Sequence, residues 1–171
     1  MYDVAVIGCG IVGAAAAYEL SRYNCRVLVL EAKNDVANVT TKANSAILHA
    51  GYDPTPGTLM AETNVRGVAL AKELCEKLDV EREEIGSLVL AFGEEDERHL
   101  EKLYQQGLAN GVPGIELLTA DEVHALEPNV SDKVTAALYA PTSAIICPFG
   151  MTIALAENAA HNGVTFRFDT R

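Results

Sequence analysis

Gly8, Gly10 and Gly13 form a GxGxxG near the start of the chain, and the acidic Glu31 ends the apolar run that follows. The residue types suit a dinucleotide site. Gly8 permits a tight turn, Gly10 lets a pyrophosphate approach the backbone, and Gly13 lets a helix pack close to a strand. A helix opening at Ile11 and Val12 offers free N–H groups and a partial positive charge to the phosphates. The Glu31 carboxylate can accept hydrogen bonds from ribose hydroxyls and would repel a 2′-phosphate. Glycines are common at turns, so the motif gains its meaning from context: a strand before it, a helix after it, and an acid ending the next strand. Cys9, inside the motif, reads as small filler rather than a reactive thiol.

The elements that would position these groups follow from the pattern of the chain. Tyr2 to Ile7 is a short β-rich run, an alanine-rich helical stretch reaches about Tyr23, and Arg26 to Leu30 is a second apolar run ending at Glu31. Strand, glycine turn, helix and strand make the opening βαβ of a doubly wound sheet, and near-continuous apolar strands are those of a parallel sheet covered on both faces. A polar stretch from Asn34 to Ser45 then replaces the third strand that a simple nucleotide-binding domain would place there. Beyond it a helix is expected from about Thr58 to Leu78, a strand over Ser87–Phe92, and a charged helix from Glu94 to about Asn110. A short strand over Ile115–Leu118 precedes a capping box at Thr119–Glu122 and its helix, and a strand follows over Val134–Tyr139. Pro148 suits the first turn of a helix running to about Asn162, with Gly163 as its C-terminal cap. Val164–Phe168 is the best candidate for the missing third strand. The expected fold class is therefore α/β: a Rossmann-like βαβ made of residues 1–46 and 148–171, incomplete at the C-terminus, with an inserted α+β portion of a second domain over 47–147.

Composition excludes several function classes. Thirteen Lys and Arg against 24 Asp and Glu leave a net charge of −11 in 171 residues, a surface that repels phosphate backbones and argues against nucleic-acid binding. An apolar fraction of 49% supplies a core and argues against disorder. The four cysteines (Cys9, Cys25, Cys75, Cys147) show no CxxC pair or metal-like spacing and read as reduced thiols. No apolar run approaches the roughly 20 residues of a membrane span, and no basic residue precedes the first short apolar run as a signal peptide would require. The expected location is the cytoplasm, or the membrane periphery for a longer intact protein. His99, His124 and His161 lie on expected surface helices without a ligand cluster, so no metal site is expected. The acidic runs Glu81–Glu84 and Glu94–Glu97 read as solvated helix ends.

Glu31 suits NAD or FAD, and the displaced third strand favours FAD. In its place Thr40, Thr41, Lys42, Asn44 and Ser45 can lay hydroxyl, amide and backbone donors along a pyrophosphate and ribityl chain. Lys42, the loop's cation, either helps neutralise a diphosphate or substrate anion or is simply solvated.

The string DVAVIGCGIVGAAAAYELSRYNCRVLVLEA resembles the N-terminal FAD-binding segment of the D-amino-acid-oxidase-like flavoenzyme superfamily. TTKANSAILHAGYDPTPGTLMAE and TSAIICPFGMTIALAENAAHNGV are similar to its branch of FAD-dependent glycerol-3-phosphate dehydrogenases and L-2-hydroxyglutarate oxidases. The resemblance covers essentially the whole chain. It implies FAD as cofactor and oxidation of a secondary alcohol beside an anionic group, with hydride transfer to flavin N5. It places Gly8, Gly10, Ile11, Val12 and Gly13 at the pyrophosphate, Glu31 with Ala32 and Lys33 at the ribose, and Thr41, Lys42, Asn44 and Ser45 along the FAD. His49, in an Ile/Leu-His-Ala-Gly element that approaches the flavin in such enzymes, becomes the candidate proton acceptor. Family members are longer, which implies either a fragment or a completing chain or homo-oligomer, with oxygen, a quinone or a protein as electron acceptor. The chain by itself is expected to be inactive and to hold little flavin. The alternatives are an FAD-dependent amine or amino-acid oxidase of the same superfamily, and a non-catalytic FAD-binding subunit of a hetero-complex.

Overall fold

The computed structural model describes residues 1–171. In chain order its elements are β1 (Val4–Ile7), α1 (Ile11–Leu20), β2 (Val27–Leu30), a 3-10 turn (Thr40–Lys42), β3 (Ile47–Leu48), α2 (Leu59–Leu78), β4 (Arg82–Glu83), β5 (Ser87–Ala91), α3 (Glu94–Asn110), β6 (Glu116–Thr119), α4 (Ala120–Leu126), β7 (Ala136–Ala140), β8 (Ala144–Ile146), α5 (Pro148–His161) and β9 (Thr165–Arg167). Two compact units result. The first contains Met1–Ala46, Leu74–Arg82 and Ile146–Arg171; the second contains Ile47–Glu73 and Glu83–Ile145.

In the first unit β1, β2 and β9 form a parallel sheet in that order, with Val4 opposite Val27, Ile7 opposite Leu30, and Leu30 opposite Arg167. The strand at the end of the chain is thus the third strand of the opening βαβ, as its apolar run suggested. α1 packs on α5. Small buried side chains (Ala14, Ala17, Ala159) let these helices approach, while Val27, Val29 and Leu155 fill the space beside them. Pro148 occupies the first turn of α5, where its missing N–H costs nothing. At the start of the sheet the exposed Arg26 donates from Nε and Nη2 to Asp3 at 3.0 and 2.9 Å, and the guanidinium holds the Asp3 carboxyl well below the usual carboxylate range.

The second unit is built on an antiparallel sheet with β7 in the centre between β5 and β6. Ala91, Leu100, Leu103, Val112, Ile115 and Leu138 form its main core. Glu94–Glu97 make the first turn of α3, where negative charge complements the helix dipole, and Gly111 closes that helix at φ +76. Glu122 accepts from the Thr119 N–H at 2.8 Å, which holds the Glu122 carboxyl below its ordinary range and fixes the entry to α4.

Three differences from the sequence expectations have physical causes. The inserted portion expected over 47–147 loses its 74–82 segment to the first unit, because Leu74, Cys75, Leu78 and Val80 pack into that unit's core. Three short strands, in the order β3-β8-β4, form a further sheet. Strands of two or three residues carry no readable alternation and exist only through pairing across the chain, as Ile47 with Ile145. Arg82–Glu83 is one of them, so Glu81–Glu84 is not a helix end. No helix is long and apolar enough to cross a membrane.

Leu138, in the middle of β7, is 0% exposed. In the intact protein Leu138→Ala should lower unfolding free energy by about 2–5 kcal/mol in denaturant titration. A loss below about 1 kcal/mol would show that β7 is not the centre of that core.

Candidate functional site

β1 ends at Ile7, the chain turns through Gly8–Cys9–Gly10, and α1 begins at Ile11. The turn demands glycine for two different reasons. Gly8 has φ +91, a left-handed conformation unfavourable for other residues. At Gly13 an added Cβ would lie 2.0 Å from the Gly8 carbonyl oxygen, so any side chain would force strand and helix apart. A Cβ on Gly10 would lie 3.0 Å from Thr41 Oγ1, so this glycine makes room for a protein side chain.

Gly10 caps α1 without a side chain, so Thr41 performs part of that work from the 3-10 turn. Its Oγ1 accepts from the Ile11 N–H at 3.0 Å while Thr41 itself is buried. The Thr41 hydroxyl keeps its own proton as a donor. Val12 and Gly13 follow in the first turn, where amide groups have no intrahelical acceptor, and the Val12 side chain is 80% exposed. This end of α1 therefore presents donors and positive dipole to an anion.

Glu31 is the fixed point of the site. It is 9% exposed, and its Oε2 accepts from the Cys9 N–H at 2.7 Å while Oε1 accepts from the Lys33 N–H at 2.8 Å. Its backbone is held too: the N–H donates to Arg167 O at 2.9 Å and the carbonyl accepts from the Thr170 N–H at 3.0 Å. The carboxylate links the glycine turn to the end of β2 and faces a direction set by backbone. Each oxygen retains a second lone pair, enough for a vicinal diol. Turn, helix end and carboxylate together fit an adenine dinucleotide.

Cys9 was expected as filler, and its thiol fits that description. Burial first, then the nearby Glu31 and Asp35 carboxylates, push it up to about 11. Its backbone does more than spacing reveals: besides the bond to Glu31, the Cys9 carbonyl accepts from the Ala37 N–H at 2.9 Å, tying the following loop to the turn. The signal for this was indirect, since a short residue between two glycines frees both backbone groups.

The other sequence candidates separate by role. Asn44 turns its amide on the loop itself: Nδ2 donates to the Thr41 carbonyl and Oδ1 accepts from the Ala46 N–H at 2.7 Å. Ala32, Lys33, Lys42 and Ser45 are exposed, and Lys33 contributes its backbone N–H to Glu31. All of these belong to the first unit. His49 belongs to the second, exposed between β3 and the buried Ala50. His99, His124 and His161 lie on α3, α4 and α5 in turn, and no group of three His, Cys, Asp or Glu is placed to hold a metal.

The thiol environments give a direct check. At about pH 8 the exposed Cys147 should alkylate in the intact protein while Cys9 stays unmodified until unfolding, because the thiolate is the nucleophile. Equal labelling rates at Cys9 and Cys147 would contradict the closed turn.

Comparison with known proteins matches this geometry to a family. The family model described as DAO, FAD dependent oxidoreductase, matches residues 3–171. A glycerol 3-phosphate dehydrogenase from Caloramator mitchellensis is 53% identical over 164 residues, 96% of this chain and 34% of its own length. The mitochondrial L-2-hydroxyglutarate dehydrogenase of Dictyostelium discoideum is 35% identical over 149 residues, 85% of this chain and 33% of its own length. Among solved structures, dithionite-reduced L-alpha-glycerophosphate oxidase from Mycoplasma pneumoniae with FAD bound matches with a TM-score of 0.94 at 36% identity, over 98% of this chain and 44% of that one. The chain spans about a third of the length of these two curated relatives. A family match running almost from end to end, on a glycine turn and buried carboxylate that fit a dinucleotide, shows that the chain belongs to the DAO family of FAD-dependent oxidoreductases.

Proposed function

We propose that this chain is the FAD-holding portion of an oxidoreductase that oxidises a secondary alcohol beside an anionic group, either glycerol 3-phosphate or a 2-hydroxy acid. The observation that carries this reading is the Glu31 carboxylate fixed across the glycine turn, in a chain 53% identical to a glycerol 3-phosphate dehydrogenase. The first unit is the FAD-binding part and the second a portion of the substrate domain.

The residues divide the work. First-turn amides of α1, at Val12 and Gly13, bind the pyrophosphate, with the Thr41 hydroxyl as an added donor and Lys42 as a nearby cation. Glu31 accepts from the ribose hydroxyls, and the Cys9 and Lys33 N–H groups keep it oriented for them. Ile11 contributes through its bond to Thr41, which sets the turn beside the phosphates. Ala32 and Lys33 line the ribose end, Asn44 shapes the loop, and Ser45 offers a hydroxyl along the ribityl chain. FAD, when bound, supplies at N5 an acceptor for the hydride leaving the substrate carbon. His49 takes the hydroxyl proton from the substrate as that C–H bond breaks.

Three measurements on the intact protein test this. Anaerobic flavin bleaching should follow addition of glycerol 3-phosphate or 2-hydroxyglutarate; bleaching by glycine or proline alone would overturn the reading in favour of an amino-acid oxidase. Glu31→Gln should weaken FAD binding about tenfold to a hundredfold in fluorescence titration, the scale of one charge-assisted hydrogen bond. His49→Gln should retain FAD and lose about a hundredfold or more in kcat. Wild-type turnover in His49→Gln would remove it as the base.

A further inference from the structure

We propose that Gln106, Gly107 and Asn110 of α3 are the positioning element for His49, holding the backbone on its C-terminal side so that the imidazole is presented from a rigid turn. The inference rests on the reading of His49 as proton acceptor and deepens it. Asn110 Nδ2 donates to two carbonyls, Gly51 O at 2.9 Å and Pro54 O at 2.8 Å. Gln106 Nε2 reaches the two carbonyls between them, Asp53 O at 3.1 Å and Tyr52 O at 3.4 Å. Four consecutive carbonyls are therefore held by two amides one helical turn apart.

Gly107 lies between those amides, and there a side chain would meet the loop. An added Cβ at Gly107 would sit 3.1 Å from Tyr52 Cβ and 2.3 Å from Ile115 Cδ1. On the other side the loop meets α2: Gly51 has φ +108, and a Cβ there would be 2.6 Å from Val65 Cγ2. The loop is thus fixed by α3 on one side and α2 on the other. Ala50 is buried in the same core as Leu100 and Leu103, and Tyr52 packs against it.

His49 is the residue where this anchoring changes hands. Before it, Ile47 and Leu48 pair with Ile145 and Ala144 of β8. After it come buried Ala50 and the clamped carbonyls from Gly51 to Pro54. The backbone is restrained on both sides, and the imidazole is left exposed. A general base must be held within hydrogen-bond reach of the proton it removes, and a displacement of about 1 Å can cost about a hundredfold in rate. Side-chain amides suit this role because they donate to carbonyls without adding a charge beside the base.

The test uses the intact, FAD-loaded protein with Asn110→Asp, which keeps the shape of the side chain and removes its N–H donors. Gln106→Glu serves as a second variant if the first does not fold. Hydrogen–deuterium exchange over residues 47–57 should quicken in either variant. With glycerol 3-phosphate or 2-hydroxyglutarate, kcat should fall about tenfold with little change in KM, the pattern of a misplaced base. In a His49→Gln background the Asn110→Asp change should lower kcat no further, because Asn110 acts through His49. Unchanged exchange would overturn the clamp. Faster exchange with unchanged kcat, or an additive loss in the double variant, would overturn its positioning role. Wild-type turnover in His49→Gln alone would contradict the assignment of the base, and is distinguishable because exchange reports the clamp independently of turnover.

Discussion

The contact on which the rest of this structure depends joins a carboxylate to a backbone amide. Glu31 stands at the end of β2, yet its side chain receives the N–H of Cys9 from inside the glycine turn between β1 and α1. A buried carboxylate needs donors to offset its desolvation, and here the donors are rigid main chain. The same contact therefore stabilises the turn and aims the acid. Gly13 enforces the geometry from the other side, since no side chain fits between α1 and the Gly8 carbonyl.

The contact needs a third strand to hold it. Glu31 gives its N–H to Arg167 and receives the N–H of Thr170, so the site is completed by chain lying far beyond it in sequence. Most of the intervening residues, Ile47–Glu73 and Glu83–Ile145, build the second unit, with its own antiparallel sheet and cores. In the proposed reading the cofactor contacts come from strand ends and a helix N-terminus of the first unit, and the base comes from a loop of the second unit held by α3. Rigid elements carry both.

Much of this was legible in the sequence, and what was not has a common cause. The βαβ, the returning strand, the helices and Pro148 were readable because each depends on local periodicity or local stereochemistry. The roles of Gly8 and Gly13 followed from motif spacing for the same reason. The β3-β8-β4 sheet was not readable, because strands of two or three residues exist only through distant partners. Thr41 was a candidate donor to a ligand, but its service as acceptor for Ile11 across the fold carried no local sign. Asn44 was a candidate donor along the FAD, yet an Asn among small residues also satisfies its own turn, and this one does. Gln106 and Asn110 read as polar residues on a charged surface helix until the loop came to rest against them.

In the proposed reading Glu31 and the glycine turn recognise the adenosine diphosphate half of the cofactor. The most direct test is the affinity of the intact apoprotein for FAD against FMN, which shares the flavin and lacks the adenosine, measured by equilibrium fluorescence titration. FAD should bind at least about a hundredfold more tightly, the scale of a few ligand-directed hydrogen bonds, one of them charge-assisted. Glu31→Ala should erase much of that preference. Equal affinity for FAD and FMN, or a preference that survives loss of the carboxylate, would contradict the account.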